Sequence, residues 1–583
     1  MTKFPRVSIA VGVTGHRDIL AQEVPVVQAA ARMELTRLRE KYPASPIILL
    51  TALAEGADRI AAHAALEAGI AIGVVLPMPQ SEYEADFQTN ASVEEFRQLL
   101  KRARWSHLVA SRESSTNAST ERNQRYLDAG IYVAKHSQLL FALWDGDTTE
   151  KKGGTAHIVR LYQNGQYSDD EDLLSFPDAG PVVHVFTRRS GRTYSDHKRL
   201  SGSVEFLAPV GIEPFRTSRQ AKATNDWEKK RWDLVLARIN QFNLDAQEFQ
   251  ARHPERIQRS RTYLIGEVAP ATLAGSALNA LSVYEVADAI SAYGNARRLT
   301  LFKAIISFAM LSVLFESLYS GPFMEWPLLA LCLLNGVGAY SLFRKVRSDR
   351  LEERYLDYRA LAEGARVQFF WKQAGLQDNA ADHYLKEQRD ELEWIRQVLR
   401  CLELPRVEMP IGAPADDKVA GTRLALDYWV RDQFNYFAGT RQKAQANRTA
   451  DEKITRQAKA LFIGGICVLA LTGLFQIFFA LRVSVFADNV IQTCIVIYNL
   501  LFWALPAVNL YGDIMGYSEH AKRYKKMGYY FGICEQKLAQ ALLDKDTFRA
   551  SELLRQIGRQ ALVENGDWLL LHRQRPVQVP LVE

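Results

Sequence analysis

Four long apolar segments in the second half of the chain restrict its fold more than any other feature. They run from Ala304 to Tyr319, Trp326 to Phe343, Ala460 to Leu481 and Val490 to Tyr511. The last two reach about 22 residues, roughly 33 Å as helix, enough to cross the hydrocarbon core of a bilayer. The first is the weakest: it is bounded by Lys303 and Glu316 and spans only if the lysine snorkels to the interface. Buried core helices of a soluble fold are the alternative, and the placement of charge argues against them. Arg297, Arg298 and Lys303 precede the first segment, and Arg344, Lys345, Arg347 and Arg350 follow the second. Arg448, Lys453, Arg456 and Lys459 precede the third, and Lys522, Arg523, Lys525 and Lys526 follow the fourth. The two short loops within the pairs hold a single basic residue, Arg482. This is the positive-inside pattern of a multi-pass protein with both termini cytoplasmic. Tyr319, Trp326, Trp503 and Tyr511 supply interfacial aromatics.

A chain of 583 residues needs two or three domains. Its net charge of +6 is mild, and no polybasic run or basic face is present to hold nucleic acid. Cys332, Cys401, Cys467, Cys494 and Cys534 show no paired spacing, which fits a reduced cytosolic portion. No His-Glu-x-x-His or Cys/His cluster occurs, so no metal site is expected.

The first 190 residues read as a doubly wound, Rossmann-like α/β domain. Val7–Val13, Ile47–Leu50, Ile70–Leu76, Leu139–Trp144 and Pro181–Phe186 are apolar strand candidates. Helical stretches separate them, among them Val24–Lys41, Ala57–Gly69, Ser81–Arg104 and Tyr126–Lys135. Such alternation implies parallel pairing, with a ligand at the carboxyl ends of the strands. Three glycine turns fall at that edge: Gly12-Val-Thr-Gly-His-Arg17, Leu53-Ala-Glu-Gly-Ala-Asp-Arg59 and Gly153-Gly-Thr155. Glycine admits close backbone approach, and a helix N-terminus presents unpaired amides to an anion. Together the turns predict a pocket for a phosphate-bearing ligand.

These motifs, with GVVLPMPQSEYEADF, LLFALWDG and KGGTAHIV, resemble the SLOG superfamily. That group includes Lonely-Guy phosphoribohydrolases, DprA-type DNA-processing proteins, the cytosolic sensor of TRPM channels and sensor domains of bacterial antiphage systems. The resemblance covers roughly residues 5 to 190. It implies that Thr14, Gly15, His16 and Arg17 line the phosphate side of a nucleotide pocket. Glu55, Gly56 and Arg59 would form a second wall, Gly153, Gly154 and Thr155 a third, with Trp144 alongside. In the phosphoribohydrolases the third loop enters a helix carrying a catalytic glutamate. Here it continues Ala156-His157-Ile158-Val159-Arg160, with no carboxylate in the next turn. Recognition without turnover is therefore expected, with no catalytic residue assigned. Glu55, Asp58 and His157 are substitutes to be weighed.

The apolar pairs look like an internal repeat. Asp288–Arg298 and Asp432–Arg441 each lead through further helix into a hairpin. A basic, tyrosine-bearing helix follows each, at Arg354–Glu363 and His520–Tyr530. This layout, over about 284 to 560, resembles the SLATT membrane effectors found beside SLOG genes. The expected organisation is a sensor (1–190), a helical linker region (191–283) and two all-α hairpin modules (284–400 and 401–583). Glu316, Asn335, Gln476 and Asn499 are pore candidates, because polar groups in lipid turn to protein or water. The whole predicts a homo-oligomeric effector of the bacterial inner membrane, gated by a nucleotide-type signal and serving antiphage defence. Rivals are a membrane-anchored nucleotide or nucleoside-phosphate hydrolase, and a DprA-like nucleic-acid binder.

Overall fold

The computed structural model describes residues 6–109, 118–149, 152–167, 177–192, 194, 200–210, 218–268, 273–320, 325–348, 350–385, 389–405, 418–480 and 487–574. The expected hairpin-loop residue Arg482 lies outside them. The amino-terminal part is built on seven strands: β1 (Ile9–Gly15), β2 (Ile47–Thr51), β3 (Ala71–Leu76), β4 (Trp105–Leu108), β5 (Leu139–Trp144), β6 (Val182–Phe186) and β7 (Val204–Leu207). They lie in the order β4-β3-β2-β1-β5-β6-β7, parallel except for the last pair. Strand order thus reverses between β1 and β5.

The strands are apolar on both faces, as a parallel sheet covered on both sides requires. Ile9, Val11 and Val13 share a core with α1 (Val24–Lys41) and α2 (Ala57–Glu67). Ala10 points the other way, to Ala129 and Val133 of α5 (Ala118–Lys135). On that same side Ala142 and Trp144 join Ile158 and Tyr162 of α6 (Thr155–Asn164).

Two expectations need correction here. The stretch from Ser81 to Arg104 is two helices, α3 (Gln80–Glu84) and α4 (Asn90–Arg102). Thr89 separates them: its hydroxyl accepts the Ser92 amide at 3.1 Å and caps α4. The five expected strands are also two short of the sheet: β7 pairs with β6, and β4 adds a further edge. Both extra strands have only four residues and carry polar Ser106, His107 and Glu205, so neither shows as an apolar run.

The remainder is helical: α7 (Ser218–Arg252), α8 (Pro254–Ile265), α9 (Leu278–Leu318), α10 (Trp326–Ser348), α11 (Leu351–Gln373), α12 (Arg389–Cys401), α13 (Lys418–Ala425), α14 (Arg431–Phe437), α15 (Lys443–Ala480), α16 (Ala487–Met515), α17 (Tyr517–Leu543) and α18 (Thr547–Gln574). Four of these, α9, α10, α15 and α16, are long and apolar enough to cross a membrane. The first expected span is the tail of the 41-residue α9, whose head is buried among other helices. α9 packs on α10 and α11, α15 packs on α16 and α17, and α16 lies against α9. Leu333, Leu334, Val337, Phe462, Ile463 and Ile477 stand exposed on these helices, a surface that water disfavours.

The sheet meets the helical part through the amino ends of its strands. Asn243 of α7 exchanges two 2.8 Å hydrogen bonds with the backbone of Val7. Gln138, just before β5, donates to the Gln397 carbonyl of α12 at 3.1 Å. Asp178, before β6, is clasped by Arg396 and Arg400 of α12. Trp232 of α7 is buried at the same junction's core, whereas Trp227 is exposed. Docking at the amino edge leaves the carboxyl edge facing away.

Charge is also buried in the helical core. Glu363 of α11 is held by Arg359 and Arg366. Burial first, then Glu363, pushes the nearby Glu564 carboxyl of α18 up to about 7, against Arg523, Arg359 and Arg366. The folded chain therefore holds this proton more tightly than the unfolded chain. The associated stability is complete below the ordinary glutamate range and is lost as pH rises through about 7. Glu564→Gln should stabilise the full-length protein by on the order of 2–3 kcal/mol at pH 8 and by almost nothing at pH 4. Thermal unfolding at the two pH values checks this; equal shifts at both would contradict it.

Candidate functional site

In an open parallel sheet the ligand crevice lies outside the carboxyl ends of the strands, where strand order reverses. Here that point is between β1 and β5. Gly15 closes β1 opposite Leu143, and the following His16 amide donates to the Leu143 carbonyl at 3.1 Å. Across the reversal, His16 Nε2 lies 2.9 Å from Asp145 Oδ1, immediately beyond β5. The Asp145 side chain is only 1 % exposed and also accepts the Asp147 amide, Tyr194 and Arg192 at 3.1, 3.0 and 3.1 Å. Burial pushes its carboxyl up, but the hydrogen bonds led by His16 outweigh that and hold it below the usual aspartate value.

The first two glycine turns touch each other. Gly56 has φ of +80°, and a Cβ there would strike the backbone carbonyl oxygens of His16 and Arg17. The Ala57 amide donates to the His16 carbonyl at 3.0 Å, so the head of α2 is bonded to the β1 turn. Leu53, with φ of +56°, adds a non-glycine residue in the left-handed region to the same elbow. Asp58 fastens it, accepting Thr51 Oγ1 at 3.2 Å and the Ala52 amide at 3.0 Å. Burial pushes the Asp58 carboxyl up to about 6 in spite of these bonds. Its place is within the turn.

The third turn stands above β5 on the other face. Gly153 has φ of +79°, and its amide donates to His157 Nδ1 at 3.1 Å. Gly154 opens α6 without a side-chain cap, as Gly56 opens α2. Neither helix head has a side-chain cap, although the first amide of α2, that of Ala57, is taken by the His16 carbonyl.

The expected pocket residues divide in two. Thr14, Gly15, His16, Arg17, Gly56 and Trp144 gather at the reversal, with Gly153, Gly154 and Thr155 at the head of α6, which packs on β1 and β5. Arg59 and Glu55 are drawn elsewhere. Arg59 donates to the Leu53 carbonyl at 3.2 Å, to Ser92 Oγ at 2.7 Å and to Glu95 at 2.9 Å, with its guanidinium over Phe87. Glu55 accepts the Gln88 amide at 3.1 Å and the Ser92 hydroxyl. Both side chains hold α4 in place.

Arg17 differs from its neighbours. Arg122, Arg189 and Arg192 are each paired with a carboxylate, at 2.7 Å to Asp86, 3.0 Å to Asp18 and 3.1 Å to Asp145. Arg17 makes no ion pair among the described residues; its guanidinium lies 4.9 Å from the Tyr126 ring centroid. Beside it, Tyr83 Oη is buried without a hydrogen-bond partner among the described residues. Buried polar groups are rarely left so. Asp145, Tyr126, Tyr83 and Tyr194 escaped the sequence reading. Asp145 carried one signal, as an acid directly after the strand Leu139–Trp144.

The pore candidates do not converge within one chain. Asn335 Nδ2 bonds to the Leu331 carbonyl of its own helix at 2.8 Å. Glu316 and Gln476 are exposed and Asn499 is half-buried. No hydrogen bond joins any of the four to another among the described residues. No group of histidine, cysteine and carboxylate side chains that could hold a metal occurs among those residues either. Compared with known proteins, the chain matches no family model and no curated protein.

Proposed function

We propose that the chain is a ligand-gated membrane effector, with a nucleotide-type anion as its signal. The amino-terminal part is then a doubly wound, Rossmann-like sensor of the SLOG type. The observation that carries this is Arg17: a guanidinium without an ion pair, beside two interlocked glycine turns at the strand-order reversal. A phosphate there would meet Arg17 and the amides at the heads of α2 and α6. The helical part is the effector, with four spans in two hairpins of one repeated design. Its support is the matching order of long helix, apolar hairpin and long helix in α9–α11 and α15–α17. By its SLOG and SLATT resemblance the protein sits in a bacterial inner membrane as a homo-oligomer and acts in antiphage defence.

Adenine and guanine nucleotides titrated into the full-length protein in detergent test the site. Arg17→Ala and Gly154→Asp are each expected to weaken binding at least tenfold while the chain stays folded. Wild-type affinity in both variants would remove the pocket from the carboxyl edge.

One observation favours a second reading, a nucleotide hydrolase. His16 held by a buried carboxylate is the pairing of a general base with its orienting group. Release of free base or sugar phosphate beyond one equivalent, lost in His16→Ala, would establish turnover.

A further inference from the structure

A cavity of about 110 Å³ lies at the opposite, amino edge of the sheet, where it meets the helical part. Its sheet side is formed by Arg6 and Ser8 before β1 and by Arg104 and Trp105 at β4; its helical side includes Asn279 and Ser282 in the first turns of α9. Asn279 closes the far wall by donating to the Leu402 and Leu404 carbonyls at 3.0 and 2.9 Å. Two arginines, Arg6 and Arg104, line this space, and among the described residues no acidic residue does. Neither Arg6 nor Arg104 makes an ion pair among the described residues. Arg97, also exposed on the same unit, does, with Glu84 at 2.7 Å. The volume exceeds what a single water needs, and a pair of planar guanidiniums suits a polyatomic oxyanion.

We propose that this cavity binds a small oxyanion, a phosphate or a small carboxylate, and that its occupant braces the head of α9 against the sheet. The consequence follows from continuity. Asn279 and Ser282 lie at the start of the same unbroken helix that forms the first apolar segment. An anion joining Arg6 and Arg104 to that head would restrain the helix from its cytosolic end. This site is distinct from the carboxyl-edge site and does not depend on it.

Inorganic phosphate and succinate, titrated separately at constant ionic strength, provide the test. Calorimetry is run on the full-length protein in detergent, on its Arg17→Ala variant, and on Arg6→Ala/Arg104→Ala. Both arginines are exposed, so their removal spares the core. At least one anion should bind saturably at one per chain, equally well in Arg17→Ala and at least tenfold weaker in the double variant. The anion that binds more tightly identifies the source. Hydrogen exchange over the first turns of α9 should slow at least threefold with that anion in the wild type, and be unchanged in the double variant. Absence of saturable binding by either anion overturns the proposal. So does undiminished binding in the double variant, binding lost in Arg17→Ala, or α9 exchange indifferent to the anion.

Discussion

Asp178→Ala is expected to loosen the sheet from the helical part more than any other single polar substitution at their junction. Asp178 precedes β6, and its two carboxylate oxygens are taken by different arginines of α12, Arg396 and Arg400. Arg396 is fully buried, with Glu393 at 3.0 Å and the Ala381 carbonyl at 3.1 Å as its further partners. Removing one member of a buried ion network leaves uncompensated charge, which costs about 3–5 kcal/mol. That corresponds to local opening roughly a hundredfold to a few thousandfold more frequent. Hydrogen exchange along α12 and β6 should accelerate to match, while the centre of the sheet at β1 stays protected. Unchanged exchange in α12 would mean that the junction is held by Asn243, Gln138 and apolar contacts alone. Asp178→Asn keeps the shape and loses the charge, so its effect should fall between those of the wild type and the alanine variant.

This junction was invisible in the sequence, for a physical reason. Apolar strands and membrane-length helices are patterns among neighbouring residues, and they stood out. The glycine turns stood out as well, because Gly56 and Gly153 take positive φ at a strand-to-helix handover, a local requirement. Features made by distant segments did not. His16 and Asp145 are 129 positions apart, and Asn243 meets Val7 across 236. Arg59 was expected to face a ligand because it follows a glycine turn. Thr89 breaks the expected long helix, and the resulting α4 brings Ser92 and Glu95 over Arg59 instead. The strands β4 and β7 were missed because short, polar edge strands lack the apolar run by which the others were found.

Deleting residues 460–511 should abolish any membrane output while leaving ligand binding intact. The deletion removes α16 through Tyr511 and the apolar part of α15, and with them the contact of α16 on α9. The carboxyl edge of the sheet, on the far side from the docking surface, is untouched. Among the polar candidates, Asn335→Leu should leave conduction unchanged, since its amide is bonded within its own helix. Asn499→Leu should change conduction if its half-buried side chain faces water in the assembled protein.

Ion and dye flux through sealed liposomes carrying the full-length protein tests the central claim most directly, with adenine and guanine nucleotides added in turn. A gated effector passes solute only when a binding nucleotide is present, and passes none as Arg17→Ala or as the 460–511 deletion. Liposomes that stay sealed with the sensor shown to be saturated would contradict the claim and leave the apolar helices as an anchor.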